Sequence, residues 1–242
     1  MKRVVVTRSL EDVDRLAERL TSAGHLPVKL PLLAIEALQS SLDIDNLPWI
    51  STAIIYTSVN AVRYGFDAIS QATTNEGLLT IAVGAKTRDA LGKKGVRAES
   101  PAREDSEGIL ALLESLDQSP THVLLVKGQG GRDLIETRLD RLGIYLIIIE
   151  CYRRIWPDVS QANFLSAVSI DSPSIIHVAS GETLNRLTDL CWAHGVDAPN
   201  NHTLVVPSQR VADQARELGW RSRIVADGAG DEALLEAVAD LS

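Results

Sequence analysis

The chain has 242 residues, 45% of them hydrophobic and 23% charged, and a formal net charge of −8, an ordinary composition for a globular protein. A chain of this length suits one large domain or two small ones. No apolar run approaches the ~20 residues of a membrane-spanning helix, and the acidic charge balance argues against nucleic acid as a partner.

Short apolar runs alternate with helical patterns along the first hundred residues. The runs are rich in β-branched residues and predict strands over 4–6, 26–30, 53–57, 80–83 and 96–98. The helical patterns begin after Ser9 and span 60–69 and 87–94. Gly24 and Gly95 end two of these patterns, as glycine does where a helix stops. Residues 42–49 predict an irregular or helical stretch, and the polar residues 70–79 predict a turn region.

The rest of the chain shows the same alternation. We predict a strand over 122–126 and helices over 107–116 and 132–142, the second of which ends at Gly143. Apolar residues of the second helix should face inward: Leu134, Ile135, Leu139 and Leu142. Residues 146–149 are nearly continuous apolar sequence, which predicts a parallel strand buried on both faces. Apolar runs over 175–180 and 203–208 each open a further helix, the last of which ends at Gly219.

The two halves repeat each other. The matched pairs Val6/Val126, Ser58/Ser180 and Thr80/Thr203 lie 120, 122 and 123 positions apart. Two copies of a β-loop-α module predict an α/β fold of two similar lobes, each with a parallel sheet. A large ligand would bind in the cleft between the lobes, at strand ends and helix N-termini.

Two similar segments are candidate linkers between the lobes. They are 31–36, which contains Pro31, and 152–157, which contains Pro157. Two equivalent linkers suggest that the chain crosses twice, so that 1–35 with 153–242 forms a discontinuous first lobe and 36–152 the second. Two contiguous halves remain the alternative on this pattern alone.

The loops after the predicted strands carry hydroxyl groups, glycines and cations. Each precedes a helix, whose N-terminus attracts carboxylates and phosphates. The candidate ligand-binding residues are Thr7, Arg8, Thr57, Ser58, Gly84, Lys86, Thr87, Lys127, Gly128, Arg153, Ser180, Gly181, Ser208 and Arg210. The same residue types also serve as plain helix caps, so a single loop does not decide between the two roles. Six such loops at one cleft favour binding of a ligand with several anionic groups.

Tyr152 is the candidate for proton chemistry. It ends an apolar strand and begins a linker, so its phenol could act as a general acid at the cleft. An aromatic residue packed at a hinge is the equally open alternative. His177 lies inside an apolar run and fits a packed strand residue better than a base. We find no nucleophile triad, paired-carboxylate signature or metal-binding set.

These pieces together resemble the uroporphyrinogen-III synthase family. The resemblance covers most of the chain in order and spacing. It rests on Val5-Val6-Thr7-Arg8, Leu30-Pro31-Leu32, the segments 56–62, 83–87 and 128–132, Tyr152-Arg153, Ser180, and Ser208-Gln209-Arg210 before Ala212 and Gly219.

The resemblance implies an activity, which we write here as an expectation. Hydroxymethylbilane, a linear tetrapyrrole carboxylate, would lose its terminal hydroxyl as water and cyclise with inversion of the terminal pyrrole ring. The product would be uroporphyrinogen III, a precursor in tetrapyrrole biosynthesis (haem, sirohaem, cobalamin). The resemblance implies no cofactor. It implies that Tyr152 assists loss of the hydroxyl.

The residue matches to the family are uneven. Thr57, Ser58, Thr87 and Ser180 match hydroxyl positions of the family's cleft. Ser208 departs from the family's loop, because many members have a Gly-x-x-Thr-Ala-like sequence where this chain reads 207–212 as PSQRVA.

The remaining expectations concern location and partners. The start, Met1-Lys2-Arg3 and three valines, is too short for a signal-peptide core, which predicts a cytoplasmic protein. Cys151 and Cys191 show no metal spacing and would stay reduced there. We expect a monomer, no membrane or nucleic-acid partner, and transient hand-over of substrate from hydroxymethylbilane synthase.

Two other functions compete with the enzyme. One is a non-enzymatic two-lobe binding protein for a polyanion. The other is a glycosyltransferase-like enzyme, for which Asp43-Ile44-Asp45 has the spacing of a metal-binding pair.

Overall fold

The structure, a computed structural model, describes residues 1–38, 52–73, 78–168 and 173–241. The chain divides into two compact units, Met1–Ile35 with Ile155–Ser242 (unit 1) and Glu36–Arg154 (unit 2). The predicted first boundary lies at the same place, and the predicted second boundary lies two residues before Ile155. The Asp43-Ile44-Asp45 motif and the stretch 42–49 lie outside the described residues.

Unit 1 contains a five-stranded parallel sheet in the order β10-β9-β8-β1-β2. Its strands are β1 (Arg3–Val6), β2 (Leu26–Lys29), β8 (Ile175–His177), β9 (Thr203–Val206) and β10 (Ser222–Val225). Strand β1 pairs directly with β8, with Val4 opposite Ile175 and Val6 opposite His177. The N-terminal strand is therefore an interior strand of a sheet whose other strands, β2 apart, come from the C-terminal third of the chain.

Helices cover both faces of this sheet. They are α1 (Val13–Ser22), α6 (Gln161–Ala167), α7 (Gly181–Ala193), α8 (Ala198–Asn201), α9 (Gln209–Glu217) and α10 (Asp231–Ala239). Successive side chains of a strand point to opposite faces. Val4 and Val6 accordingly pack in one core cluster with Leu16 of α1 and Leu234 of α10. Val5 packs on the other face, in the core that includes Trp220.

Unit 2 contains a second five-stranded sheet, in the order β3-β7-β6-β4-β5. Its strands are β3 (Ala34–Ala37), β4 (Thr52–Tyr56), β5 (Leu79–Ala82), β6 (His122–Gly128) and β7 (Tyr145–Ile155). The boundaries of the unit fall within β3 and β7. The pairs of β4 with β5 and β6, and of β6 with β7, are parallel. Its helices are α2 (Val59–Thr73), α3 (Ala85–Gly92), α4 (Ser106–Glu114) and α5 (Leu134–Arg141). The prediction of two α/β modules with parallel sheets is thus confirmed.

Four glycines predicted to end helices adopt the left-handed conformation that favours glycine. Their φ angles are +80° at Gly24, +82° at Gly95, +68° at Gly143 and +89° at Gly219. These stops bring the chain back to the sheet after α1, α3, α5 and α9.

The prediction that 146–149 is buried on both faces is wrong. Tyr145 is 62% exposed and Ile148 is 42% exposed. Leu38 donates its N–H to the Cys151 carbonyl at 3.0 Å, so β3 runs beside the carboxyl end of β7. Among the described residues the first half of β7 therefore borders β6 alone. The strand also continues to Ile155, through the segment predicted as a linker.

Three smaller predictions also fail. The predicted strand 96–98 is absent from this described part of the chain, where a single bridge joins Ile81 to Glu99. Leu142 is 46% exposed rather than inward, because α5 ends at Arg141 and the chain turns at Gly143. Helix α2 continues to Thr73, beyond the predicted end at Ile69, where the backbone departs from helical geometry.

Candidate functional site

A pocket of about 230 Å³ opens at the carboxyl ends of β4, β6 and β7 in unit 2. Ligands commonly bind at this edge of a parallel sheet. The pocket is lined by Thr57, Ser58, Ser106, Leu125, Lys127, Gly128, Gln129, Gly130, Gly131, Arg132, Ile135, Glu136, Tyr152 and Arg154. Five residues that sequence analysis selected therefore lie together here: Thr57, Ser58, Lys127, Gly128 and Tyr152.

The phenol of Tyr152 and the hydroxyl of Ser58 are hydrogen-bonded. The two oxygens lie 3.1 Å apart, and either hydroxyl can be the donor. The Ser58 oxygen also accepts the Ala61 N–H at 2.9 Å, in the first turn of α2. Tyr152 is 7% exposed and its ring lies 6.0 Å from that of Tyr64. The phenol is thus held beside the N-terminus of α2, the end of a helix that carries partial positive charge.

Gly128 makes room for the tyrosine ring. A Cβ atom at this position would lie 2.5 Å from Tyr152 Cζ and 2.9 Å from its Oη. The next residue, Gln129, donates its N–H to the Tyr152 carbonyl at 2.7 Å. Gly130 and Gly131 follow with φ of +77° and +89°, so the loop turns sharply along the pocket wall. Glycine at 128 is therefore a steric requirement of the tyrosine's placement.

Two cations predicted to bind a ligand, Lys127 and Arg153, are paired with carboxylates of the chain itself. Lys127 forms an ion pair with Glu136, and both side chains are largely buried. Arg153 is exposed and pairs with Glu36, which raises the pKa of the guanidinium and lowers that of the carboxyl. Side chains alternate along a strand, so Arg154 shares the face of Tyr152 and lines the pocket. Arg153 is among the predicted binding residues and Arg154 is not, although the alternation of side chains along the strand identifies Arg154.

The N-terminus of α3 already holds a carboxylate of the chain itself. Glu104 Oε1 accepts the Ala85 N–H at 2.9 Å, and a Cβ at Gly84 would collide with the Glu104 carboxylate. Of the other predicted residues, Lys86 is exposed and Thr87 is buried in the first turn of α3. Glu104 and Glu136 were missed because their contacts join residues that no local pattern links.

The remaining candidates lie in unit 1, at the carboxyl ends of β1, β8 and β9. They are Thr7, Arg8, Ser180, Gly181, Ser208 and Arg210. Ser180 caps α7 by accepting the Thr183 N–H at 3.2 Å. Ser208 precedes α9 but its side chain makes no such cap bond. At Gly181 an added Cβ would collide with Gln214 Oε1. Because β1, β8 and β9 are neighbours in the sheet, these residues share one edge.

Arg8 and Thr7 are engaged by other parts of unit 1. Thr7 donates its hydroxyl to the His177 carbonyl at 2.7 Å. Arg8 pairs with the buried carboxylate of Asp231 at 3.0 Å, and Arg15 also contacts that carboxylate at 3.1 Å. Burial, together with the nearby Arg8 charge, lowers the pKa of His177 to about 3. His177 is therefore neutral at physiological pH, in agreement with its interpretation as a packed strand residue.

Comparison with known proteins gives one consistent family. The family model described as uroporphyrinogen-III synthase HemD matches residues 14–236. The uroporphyrinogen-III synthase of Escherichia coli (strain K12) is 30% identical over 97% of this chain and 99% of its own length. The synthase of Salmonella typhimurium is 28% identical with the same coverage.

Solved structures agree in fold. Uroporphyrinogen-III synthetase from Helicobacter pylori aligns over the full length of both chains, with a TM-score of 0.64 and 18% identity. A mutant uroporphyrinogen III synthase from Thermus thermophilus aligns over 98% of this chain and 97% of its own, with a TM-score of 0.61 and 18% identity. Among the described residues, no helix has the length and apolar character needed to cross a membrane.

Proposed function

The chain belongs to the uroporphyrinogen-III synthase family, and from that premise we propose that it converts hydroxymethylbilane to uroporphyrinogen III. The reaction removes the terminal hydroxyl as water and closes the ring with the last pyrrole inverted, which makes the protein a lyase of tetrapyrrole biosynthesis. The observation that carries the proposal is the family match along residues 14–236. The hydrogen-bonded pair of Tyr152 and Ser58 at the pocket supplies chemistry that the reaction needs.

Tyr152 donates the proton that the leaving hydroxyl requires. As the C–O bond breaks, the phenol proton passes to the hydroxyl, water departs and an azafulvenium-like cation remains. Ser58 then donates a hydrogen bond to the phenolate oxygen, while its own oxygen still accepts the Ala61 N–H. This arrangement stabilises the phenolate in a site where it is shielded from solvent.

Ring closure returns the proton. The substituted carbon of the last pyrrole attacks the cation, giving a spiro intermediate that fragments and closes again with that ring inverted. The final loss of a proton from carbon restores the neutral phenol, so the net change is loss of one water. Spontaneous closure gives the uninverted type I isomer, so the protein must hold the chain in the less favoured geometry.

The pocket fits one end of the substrate. Its volume of about 230 Å³ lies below the range of about 300–1,000 Å³ typical of whole-ligand pockets. A pyrrole ring with its short carboxylate arms fits this space, whereas a chain of four such rings does not. We propose that the terminal ring with its hydroxyl enters here and the other rings lie outside.

Hydroxyl groups at helix N-termini bind the substrate's carboxylates in this proposal. Ser58 shares its hydrogen with Tyr152. Ser180 accepts the Thr183 N–H, and when the Thr183 hydroxyl donates to it as well, the Ser180 hydrogen is available to an anion. Thr57 lines the same pocket as Ser58. Gly84, Lys86 and Thr87 at α3, and Ser208 and Arg210 at α9, stay predictions on the same physical grounds.

A coupled assay tests the activity. Hydroxymethylbilane is generated enzymatically, the protein is added, and the oxidised products are separated as uroporphyrin isomers by chromatography. We expect type III in an amount proportional to the protein. Type I alone, from protein shown to be folded, would leave the non-enzymatic polyanion-binding function, which the family membership does not favour. Cytoplasmic location, a monomeric state and hand-over from hydroxymethylbilane synthase stay predictions.

A further inference from the structure

A second cavity of about 510 Å³ lies between α2 and α3, separate from the pocket at Tyr152. We call it the basic groove, and its lining is Val59, Val62, Arg63, Lys86, Asp89, Ala90, Lys93 and Lys94. The lining includes four cationic side chains and one carboxylate, on a chain whose net charge is −8. This concentration of positive charge is opposite in sign to the protein as a whole.

The cations of the basic groove are largely uncompensated. Lys94 pairs with Asp67 at 3.3 Å and lies 5.2 Å above the Phe66 ring. Within the described residues, Arg63, Lys86 and Lys93 have no carboxylate within 4.0 Å. Their side chains are exposed, so their charges act on ligands in solution rather than on the fold.

The basic groove adjoins the candidate site through both of its helices. Val59 is the first residue of α2 and follows Ser58, the hydrogen-bond partner of Tyr152. Lys86 lies in the first turn of α3, directly after Gly84 and Ala85. The groove follows α3, whose eight residues span about 12 Å at 1.5 Å per residue, and ends at Lys93 and Lys94 just beyond it. It therefore leads from the site outward over the length of one or two pyrrole units.

We propose that the basic groove binds carboxylate side chains of the linear tetrapyrrole and directs the chain to the pocket at Tyr152. This inference rests on the proposed function. A substrate with several carboxylates is repelled by an acidic protein, but screening restricts that repulsion to about 8–10 Å. A local cluster of cations then determines where such a ligand first associates, and raises its association rate.

The test reverses two charges that lie outside the candidate site. The variant Arg63→Glu/Lys93→Glu is compared with Arg141→Glu/Arg221→Glu, which changes the net charge equally at exposed positions that do not line the groove. For hydroxymethylbilane we expect the groove variant to lower kcat/KM about tenfold at low ionic strength, with kcat unchanged within about twofold. The loss should shrink as salt is added, and Arg63→Gln/Lys93→Gln should show an intermediate loss.

Three readouts report the activity and the role of the groove separately. Production of type III isomer by the unmodified protein reports the activity, whereas the ratio between the two charge-reversed variants reports the groove. Titration with uroporphyrin III measures binding of the cyclic octacarboxylate: weaker binding to the groove variant would extend the groove's role to the product, and unchanged binding would restrict it to the linear chain. Equal kcat/KM and equal uroporphyrin binding in the groove and control variants would overturn the proposal.

Discussion

Replacing Gly128 with alanine tests whether the position of the Tyr152 ring controls the reaction. The new Cβ would lie 2.5 Å from Tyr152 Cζ, so the ring must retreat about 0.9 Å to reach an ordinary separation of about 3.4 Å. The bond to Ser58, now 3.1 Å, would stretch to about 4 Å and be lost. A displacement of about 1 Å in a catalytic group costs about 100-fold in rate, and we expect kcat to fall by that factor.

The control must separate ring displacement from lost stability. Overpacking at Gly128 costs about 1–3 kcal/mol of unfolding free energy. Gly95→Ala offers a comparable cost without a clash, because Gly95 has φ of +82° and no heavy atom within 4 Å of the added Cβ. We expect Gly95→Ala to keep kcat while lowering the urea midpoint.

A double variant identifies the group through which the alanine acts. If it acts by displacing the Tyr152 hydroxyl, Gly128→Ala/Tyr152→Phe should be little slower than Tyr152→Phe alone. Wild-type kcat in a folded Gly128→Ala protein would refute the reasoning. So would full additivity of the two substitutions, because it would mean that they act independently.

Further predictions concern single side chains. Tyr152→Phe should lower kcat about 100-fold and leave measurable type III formation, since the substrate is still positioned. Tyr145→Phe, on the exposed part of β7, should leave kcat unchanged. Equal losses of kcat in the two variants would rule out the general-acid role of Tyr152. The pKa of His177 is about 3 in the folded protein and about 6.5 in the unfolded chain, so between pH 7 and pH 5 only the unfolded chain takes up a proton there. The free energy of unfolding should therefore fall by about 2 kcal/mol from pH 7 to pH 5 in urea titrations. His177→Asn should remove that part of the slope, and an unchanged slope would contradict the assignment. Burial raises the thiol pKa of Cys151 to about 11 and of Cys191 to about 12, so both should react with a thiol reagent at pH 8 only after denaturation; rapid labelling of native protein would refute this.

Local signals explain which parts of the fold could be predicted. The glycines at 24, 95, 143 and 219 mark helix ends because only glycine adopts a left-handed conformation without strain. Short β-branched runs mark strands for an equally local reason. The pairing of β1 with β8 depends on contacts across most of the chain, and only the two similar linker segments indicated it.

In the candidate site too, local sequence signals identified some residues, whereas contacts between distant elements could not be predicted. Thr57, Ser58, Gly128 and Tyr152 were found because each follows an apolar strand, and parallel strands bring their carboxyl ends to one edge. The ion pairs that engage Lys127 and Arg8 could not be foreseen, because their partners Glu136 and Asp231 lie in other elements. Exposure of the first half of β7 escaped prediction because apolar content does not show whether a strand lies at a sheet edge.

Glu104 has a consequence for which anions this protein admits. Its carboxylate is tethered beside the first N–H of α3, so its effective concentration there is in the millimolar range or above. A simple anion such as phosphate or acetate would have to compete with the Glu104 carboxylate for the Ala85 N–H. A ligand with many carboxylates, already held elsewhere, would replace Glu104 in an exchange that is itself intramolecular. We therefore expect the chain's own glutamate to favour multivalent ligands over small anions at this helix N-terminus.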